Sequence, residues 1–385
     1  MIPFARVLKY GNIAPAPVGI KDVKSMQNTV YILLTDGRLY GFGLNNKLQL
    51  GTGDTTQPTT WLLLLDGVAD IWCGSGDGTC VLAYKHDGTW WSTGNQGFLG
   101  TSGSLSVWTN VSAKFAVTGN EYKKLVMSAY GTLMLMQNGD LWRIGINASG
   151  ILFTGNTSAV PAFVKTSEVD VVDIMMSLTG EQSYVLYKNG TLKGCGSNEG
   201  YALSNVGVPT AKYYVLVQVS NSMAHINSES GYVSMVMGHE ANLIFCCGSK
   251  YGGQLGVGTP TGLNDGFKIA QATAIPAGTI QYIGSANYST HVKVNNKWYY
   301  SGVDNRSAGF GLTTGSQVST FVSDSTGVID SLDISKMAHG FYITFALING
   351  ELYASGINGN FGSFPWESGT TAQNTGRFMK INTPT

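Results

Sequence analysis

Charge is scarce in this sequence. Asp, Glu, Lys and Arg make up 12% of the residues, against about 25% in an ordinary soluble domain. The 23 basic and 23 acidic side chains cancel to a formal charge of zero. A protein that holds nucleic acid by neutralising phosphates carries a basic excess, so that mode is excluded and no nucleic-acid partner is expected. Cysteine is scarce as well. Cys73, Cys80, Cys195, Cys246 and Cys247 are an odd number with no C-x-x-C pair, which argues against both a disulfide framework and a zinc site. The longest apolar run, Trp61 to Leu65, falls far short of the ~20 residues that cross a bilayer, so no membrane insertion is expected. No continuous apolar stretch follows the first basic residues, and no secretory signal is read there. Helical periodicity is missing throughout.

What the sequence has is glycine, 51 residues in 385, and a repeat. The segments TDGRLYGFG, HDGTWWSTG, QNGDLWRIG, KNGTLKGCG, EANLIFCCG, VNNKWYYSG and INGELYASG end on Gly43, Gly94, Gly145, Gly196, Gly248, Gly302 and Gly356, spaced by 51, 51, 51, 52, 54 and 54 residues. Apolar strands such as Val30 to Leu34 and Tyr184 to Tyr187 come first. Then Asp36-Gly37, Asp87-Gly88, Asn138-Gly139, Asn189-Gly190 or Asn349-Gly350 supplies two positive-φ residues for a tight hairpin. A bulky pair follows, as in Leu39-Tyr40, Trp90-Trp91 and Leu141-Trp142, placed for cross-strand packing.

Two further landmarks recur in phase. One is Gln49-Leu50-Gly51, matched by Phe98-Leu99-Gly100, Gln254-Leu255-Gly256, Phe310-Gly311 and Phe361-Gly362. The other is a short alternating strand before each hairpin: Ile20 to Val23, Val68 to Ile71, Val171 to Ile174 and Ile329 to Leu332. Each unit is therefore an antiparallel sheet that cannot bury both faces alone, and radial stacking of neighbours solves this.

The D-G-x-L-Y-x-x-G pattern, followed by Asn45, Asn95, Asn147, Asn198 or Asn358 and then Q-L-G, resembles the regulator of chromosome condensation repeat family, phage-encoded members included. The resemblance implies an all-β, seven-bladed β-propeller of four-stranded antiparallel blades. The domain reading is a single propeller over 1–385: seven repeats from 20 to 385, preceded by a lead-in over 1–19. Within that lead-in Phe4 to Tyr10 reads as a strand that pairs beside Arg377 to Ile381, so that N- and C-terminal strands together close the ring.

No constellation carries chemistry, and the chain is read as a non-enzyme with no catalytic residue, cofactor or metal. His86, His225, His239, His291 and His339 have no short ligand spacing. Asp22, Asp70, Asp173 and Asp330 recur about fifty residues apart, too far for the local carboxylate cluster that calcium needs. The Gly-rich runs at Gly74 and Gly252 precede no helix and so lack the phosphate-binding device. The tryptophans are scattered and lack the Gly-Trp-Arg-His-Thr context of UV-B-sensing relatives. In-phase aromatics read as core. The off-phase ones, Tyr213, Tyr214, Tyr251, Phe364 and Trp366, are the candidate binding residues, because recognition concentrates in loops on rigid scaffolds.

Low charge, polar Gly/Ser/Thr/Asn repeats, no signal and free thiols suggest a protein made in a host cytoplasm that works outside it. The functional expectation is a virion structural or receptor-binding protein, a bacteriophage tail or neck appendage. Its partners would be other virion proteins and a host surface receptor or glycan, in a homo-oligomer or stable complex. The alternative is a cytoplasmic adaptor or inhibitor propeller that binds a protein. The closing-strand reading predicts that deleting residues 1–12 sharply lowers the melting temperature and promotes aggregation. A truncated chain that melts within about two degrees of the full one, where 1 kcal/mol is worth at least that much, would make the N-terminus a free arm.

Overall fold

The computed structural model describes residues 18–26, 28–74, 79–116, 121–177, 180–203, 211–220, 222–226, 235–240, 243–249, 252–258, 263–269, 275–276, 278–285, 289–303, 317–340, 343–357 and 374–384. Their strands form seven four-stranded antiparallel sheets, each built from four consecutive strands in chain order. The first sheet runs Ile20–Met26, Thr29–Leu34, Leu39–Gly43 and Leu62–Leu65. The first strands of the others are Val68–Gly74, Tyr122–Met127, Val171–Met176, His225–Ile226, Ile280–Ser285 and Ile334–His339. First strands of neighbouring sheets touch one another, so they form the innermost layer. The result is an all-β propeller of four-stranded antiparallel blades. The described helical elements are single 3-10 turns such as Gly97–Leu99 and Ser112–Phe115.

The second strands explain why stacking is obligatory. Thr29–Leu34, Gln182–Tyr187 and Ile343–Ile348 are buried at every position, the signature of a strand covered on both faces. The core is correspondingly divided into clusters that each span two adjacent sheets. Val81 and Ala83 of the second sheet pack with Leu33 and Leu39 of the first. Trp298 and Tyr300 of the sixth pack with Met337 and Ala346 of the seventh. Phe345 and Leu347 of the seventh pack with Val30 and Ile32 of the first. That last seam also carries a Lys336–Asp22 ion pair and a hydrogen bond from Trp61 Nε1 to the Asn382 carbonyl at 2.9 Å.

The closing strand expected from residues 4–10 lies outside the described residues. Within them, the seventh sheet takes all four of its strands from the C-terminal part, with Asn374–Lys380 paired to Glu351–Ile357. Its last strand is anchored by Arg377, whose Nη1 donates to Asp324 Oδ2 at 2.8 Å. Asp324 is 4% exposed. Burial raises its pKa, but the guanidinium together with Thr326 and the Ile329 backbone N–H hold it well below the usual carboxylate range. This carboxylate also overturns one reading of the sequence. Ile329–Ser331 is a 3-10 turn, not the start of a strand, because Asp324 draws in the N–H groups of Thr326 and Ile329.

The hairpins divide into two kinds. Asn349-Gly350 and Asn295-Asn296 have positive φ at both positions, as a two-residue type I′ turn requires. The four earlier ones do not. At Asp36-Gly37 only the glycine is left-handed, φ 90°. Gly37 N donates to the Leu34 carbonyl and Leu34 N to the Arg38 carbonyl, which is a type I turn followed by a glycine bulge. The Asp or Asn before that glycine serves through its side chain: Asp36, Asp87, Asn138 and Asn189 each accept the N–H two residues on.

The repeat glycine itself has a steric cause. At Gly196, φ is 103° and an added Cβ would sit 2.1 Å from the Glu181 carbonyl oxygen; at Gly43 the corresponding contact is 2.3 Å from Asn28 O. All seven repeat glycines have positive φ. The landmark asparagine is a clamp. Asn45, fully buried, accepts from Leu50 N at 2.9 Å and donates to Thr52 Oγ1 and the Asp54 carbonyl at 2.8 Å. Asn147 repeats this on Leu152, Thr154 and Asn156.

Two outcomes follow from these contacts. Gly196→Ala should destabilise well beyond the ~1–2 kcal/mol of left-handed strain alone, whereas Gly139→Ala, with open space at its Cβ, should cost only that strain; paired urea melts decide. The depressed Asp324 pKa means that its stabilisation is full above the unfolded carboxylate value near ~4 and is lost as pH falls towards its folded value. The gap in unfolding midpoint between wild type and Asp324→Asn should therefore narrow steadily from pH 5 to pH 2.

Candidate functional site

In most units the residues flanking the hairpin are aliphatic. Leu33 and Leu39, Leu135 and Leu141, and Leu186 and Leu192 fill the gap to the next sheet. The second sheet puts Tyr84 and Trp90 in those two places. Large flat rings cannot close the groove towards the third sheet as leucines do, and a cavity of about 560 Å³ remains, lined also by Asp70, Phe115, Glu121, Tyr122, Met134 and Met136. It opens at the hairpin end of the propeller, where the outer strand of the second sheet crosses to the first strand of the third.

Each ring is held by a local device. The connecting 3-10 turn Ser112–Phe115 is strapped to the Trp90 backbone: Trp90 N donates to Ser112 Oγ at 2.9 Å and Val111 N to the Trp90 carbonyl at 2.8 Å. This sets Phe115 on Trp90, with centroids 4.3 Å apart and planes 8° from parallel. Tyr84 tilts against Trp90 at 4.6 Å. Tyr122 meets the edges of Tyr84 and Trp72 at 5.8 and 5.5 Å. Offset and edge-to-face pairs of this kind each add ~0.5–1.5 kcal/mol beyond burial, so the cavity wall is rigid.

Two carboxylates give the site its charge. Tyr122 Oη donates to Asp70 Oδ2 at 2.5 Å and so ties the third sheet to the second. Burial, and then the Asp70 carboxylate, push the Tyr122 phenol far above its ordinary range, which keeps it a neutral donor. Glu121 is exposed at the rim. The lining thus offers π faces, two thioethers and two carboxylates.

A second, more open cavity of about 460 Å³ lies at the same end between the fourth and fifth sheets, lined by Val172, Lys188 and Met223 among others.

Of the aromatic residues singled out in the sequence, Tyr251, Phe364 and Trp366 lie outside the described residues. Tyr213 and Tyr214 stand on the outer strand Lys212–Ser220, away from the cavity. Tyr213 is half-buried in the cluster between the fourth and fifth sheets. Tyr214, 36% exposed, caps Gly150 of the preceding unit, where a Cβ would meet its ring at 2.2 Å. Trp108 covers Gly51 and Phe321 covers Gly256 in the same manner, so Tyr214 belongs to a recurring contact between sheets. Phase reasoning assigned Trp90 to the core and passed over Tyr84, Phe115 and Tyr122. The usable signal was Tyr84 and Trp90 standing where the first, third and fourth units carry leucine.

The recurring acids are tethers. Asp22 pairs with Lys336, Asp173 with Lys124 at 2.6 Å, Asp70 with Tyr122, and Asp330 accepts from Trp298 N at 2.7 Å. His291 and His339 stack at 5.3 Å between the sixth and seventh sheets. Burial lowers the His339 pKa to about 4; its ring nitrogens lie 3.1 Å from Tyr282 Oη and 3.1 Å from Thr344 Oγ1. Among the described residues no three His, Cys, Asp or Glu side chains converge as metal ligands, and no helix is long and apolar enough to cross a membrane.

No family model matches the chain. Solved structures share its fold. Human WBSCR16 superposes with a TM-score of 0.70 at 14% identity, over 90% of this chain and 94% of that one. Yeast RCC1 (Prp20), solved bound to Kap60, gives 0.71 at 16% identity, over 100% of this chain and 91% of that one. Prp20p from Saccharomyces cerevisiae, described together with its binding properties to Gsp1p and histones, gives 0.69 at 16% identity, over 94% and 87%. At such identities the likeness is one of architecture: the chain has the β-propeller fold that these structures share.

Proposed function

We propose that this chain is a non-enzymatic recognition propeller, a seven-bladed ring that binds a protein partner at its hairpin end through the groove between the second and third sheets. Seven four-stranded sheets and a packed seam between the last and the first support the blade count. The observation that carries the function is the rigid aromatic and acidic cavity, open at one end of a scaffold in which the corresponding places of the first, third and fourth sheets are filled by leucine. Aromatic anchors in a preformed hollow are what dominates contact energy in protein interfaces. Propellers of this architecture bound to Kap60, or described with Gsp1p and histones, support a protein as the partner class.

The finer reading places the chain in a virion, as a bacteriophage tail or neck component attached to other virion proteins and facing a host receptor or glycan. Its support is compositional: 12% charged residues, zero net charge and five cysteines, none of them in a disulfide. Tyr213 and Tyr214, with Tyr251, Phe364 and Trp366, are proposed as secondary contacts of that assembly.

The test is co-sedimentation of purified chain with particles from the producing culture. Wild type should pellet with the particles and depend little on salt, since few charges are available. The double variant Trp90→Leu and Phe115→Ala, checked for an intact β spectrum, should lose at least tenfold in association. A chain that stays monomeric and in the supernatant overturns the virion reading, and unchanged binding by the variant overturns the site.

A further inference from the structure

We infer that the cavity between the second and third sheets is built for a guanidinium group, the side chain of an arginine presented by the partner. This rests on reading the cavity as a recognition site. The first argument is charge. Among the described residues, Asp70 and Glu121 are the only charged ones in the lining, and the lysines next to cavity residues in sequence are all engaged elsewhere. Lys85 lies over the Trp91 ring at 5.3 Å. Lys114 donates to the Pro161 carbonyl at 2.9 Å, Lys123 to the Val172 carbonyl at 3.0 Å, and Lys124 to Asp173 at 2.6 Å. The hollow therefore keeps its negative potential, which the ring quadrupoles of Tyr84, Trp90, Phe115 and Tyr122 deepen.

The second argument is donor demand. Tyr122 occupies one oxygen of Asp70. Among the described residues no donor is bonded to Asp70 Oδ1 or to the Glu121 carboxylate. A quaternary ammonium carries no N–H and could donate neither to Asp70 Oδ1 nor to the Glu121 carboxylate. A guanidinium has five donors in a planar fork, enough to serve carboxylates from both sides of the groove while its plane lies on an aromatic ring. The third argument is size. At about 560 Å³ the hollow falls within the usual range for ligand sites, ~300–1,000 Å³, and accepts a whole side chain.

The experiment is a fluorescence titration, with Trp72 and Trp90 as reporters and peptides as probes: Ac-Gly-Arg-Gly-NH2, its lysine counterpart, and its citrulline counterpart, which keeps the shape and loses the charge. The arginine peptide should quench with Kd on the order of 1 mM, as suits a single side chain. Lysine should bind at least fivefold more weakly, and citrulline should give no saturable change up to ten times that concentration. Glu121→Gln, an exposed position that leaves the fold intact, and Asp70→Asn, which still accepts from Tyr122, should each weaken arginine at least threefold. Citrulline or lysine binding as well as arginine overturns the inference, as does an unchanged Kd in both variants or no saturable quenching at all. The outcome is separable from the particle test, since the peptides probe the cavity without the partner.

Discussion

Among the described residues the second strands at the heart of the sheets are covered on both faces, so such a sheet cannot exist without a neighbour on each side. Three residues along a second strand such as Thr29–Leu34 point one way and three the other, and all six are buried. Each large side chain so covered contributes ~1.5–3 kcal/mol, and a single hairpin-built sheet standing free would expose half of them. A ring supplies both neighbours to every member and leaves no terminal sheet to cap. The packing of the last sheet on the first through Phe345, Leu347, Val30 and Ile32 is the contact on which the others depend.

That demand for close approach explains most of the recurring polar and small residues. A repeat glycine sits where a Cβ would strike a carbonyl oxygen, and the buried asparagine clamps the following loop from the inside. Recurring acids on or just before the first strands answer lysine, tyrosine or backbone donors of neighbouring strands. Those features are conditions of assembly. They are therefore uninformative about what the protein binds, since function is grafted onto such scaffolds rather than inherent in them.

The cavity arises where the second unit departs from the leucine pair that the first, third and fourth carry. Tyr84 and Trp90 in place of two leucines cost some close packing, recovered in part by ring stacking with Phe115 and Tyr122. The exchange leaves a hollow with acidic walls at the open end of the groove. A site of this kind is preorganised: its rings are pinned by backbone hydrogen bonds and neighbouring rings, so little ordering is left for a ligand to impose.

By itself the sequence determined the architecture. The spacing of Gly43, Gly94 and Gly145 is one steric requirement repeated, and a local requirement leaves a local trace. The turn chemistry was legible only in part. Asp36-Gly37 and Asn349-Gly350 look alike as dipeptides, but the number of loop residues between paired strands, which only the ladder fixes, decides whether one or both adopt positive φ. The first strand expected at Ile329 became a turn because Asp324, buried against Arg377 from 53 residues further along the chain, draws the backbone round it. The candidate site was hidden for the same reason. Asp70, Trp90, Phe115 and Tyr122 are separated along the chain, and each taken singly suits a core or a strand end. Only the stacking of the second sheet on the third brings four rings and two carboxylates round one hollow, and only there does an in-phase tryptophan become a wall rather than a filling.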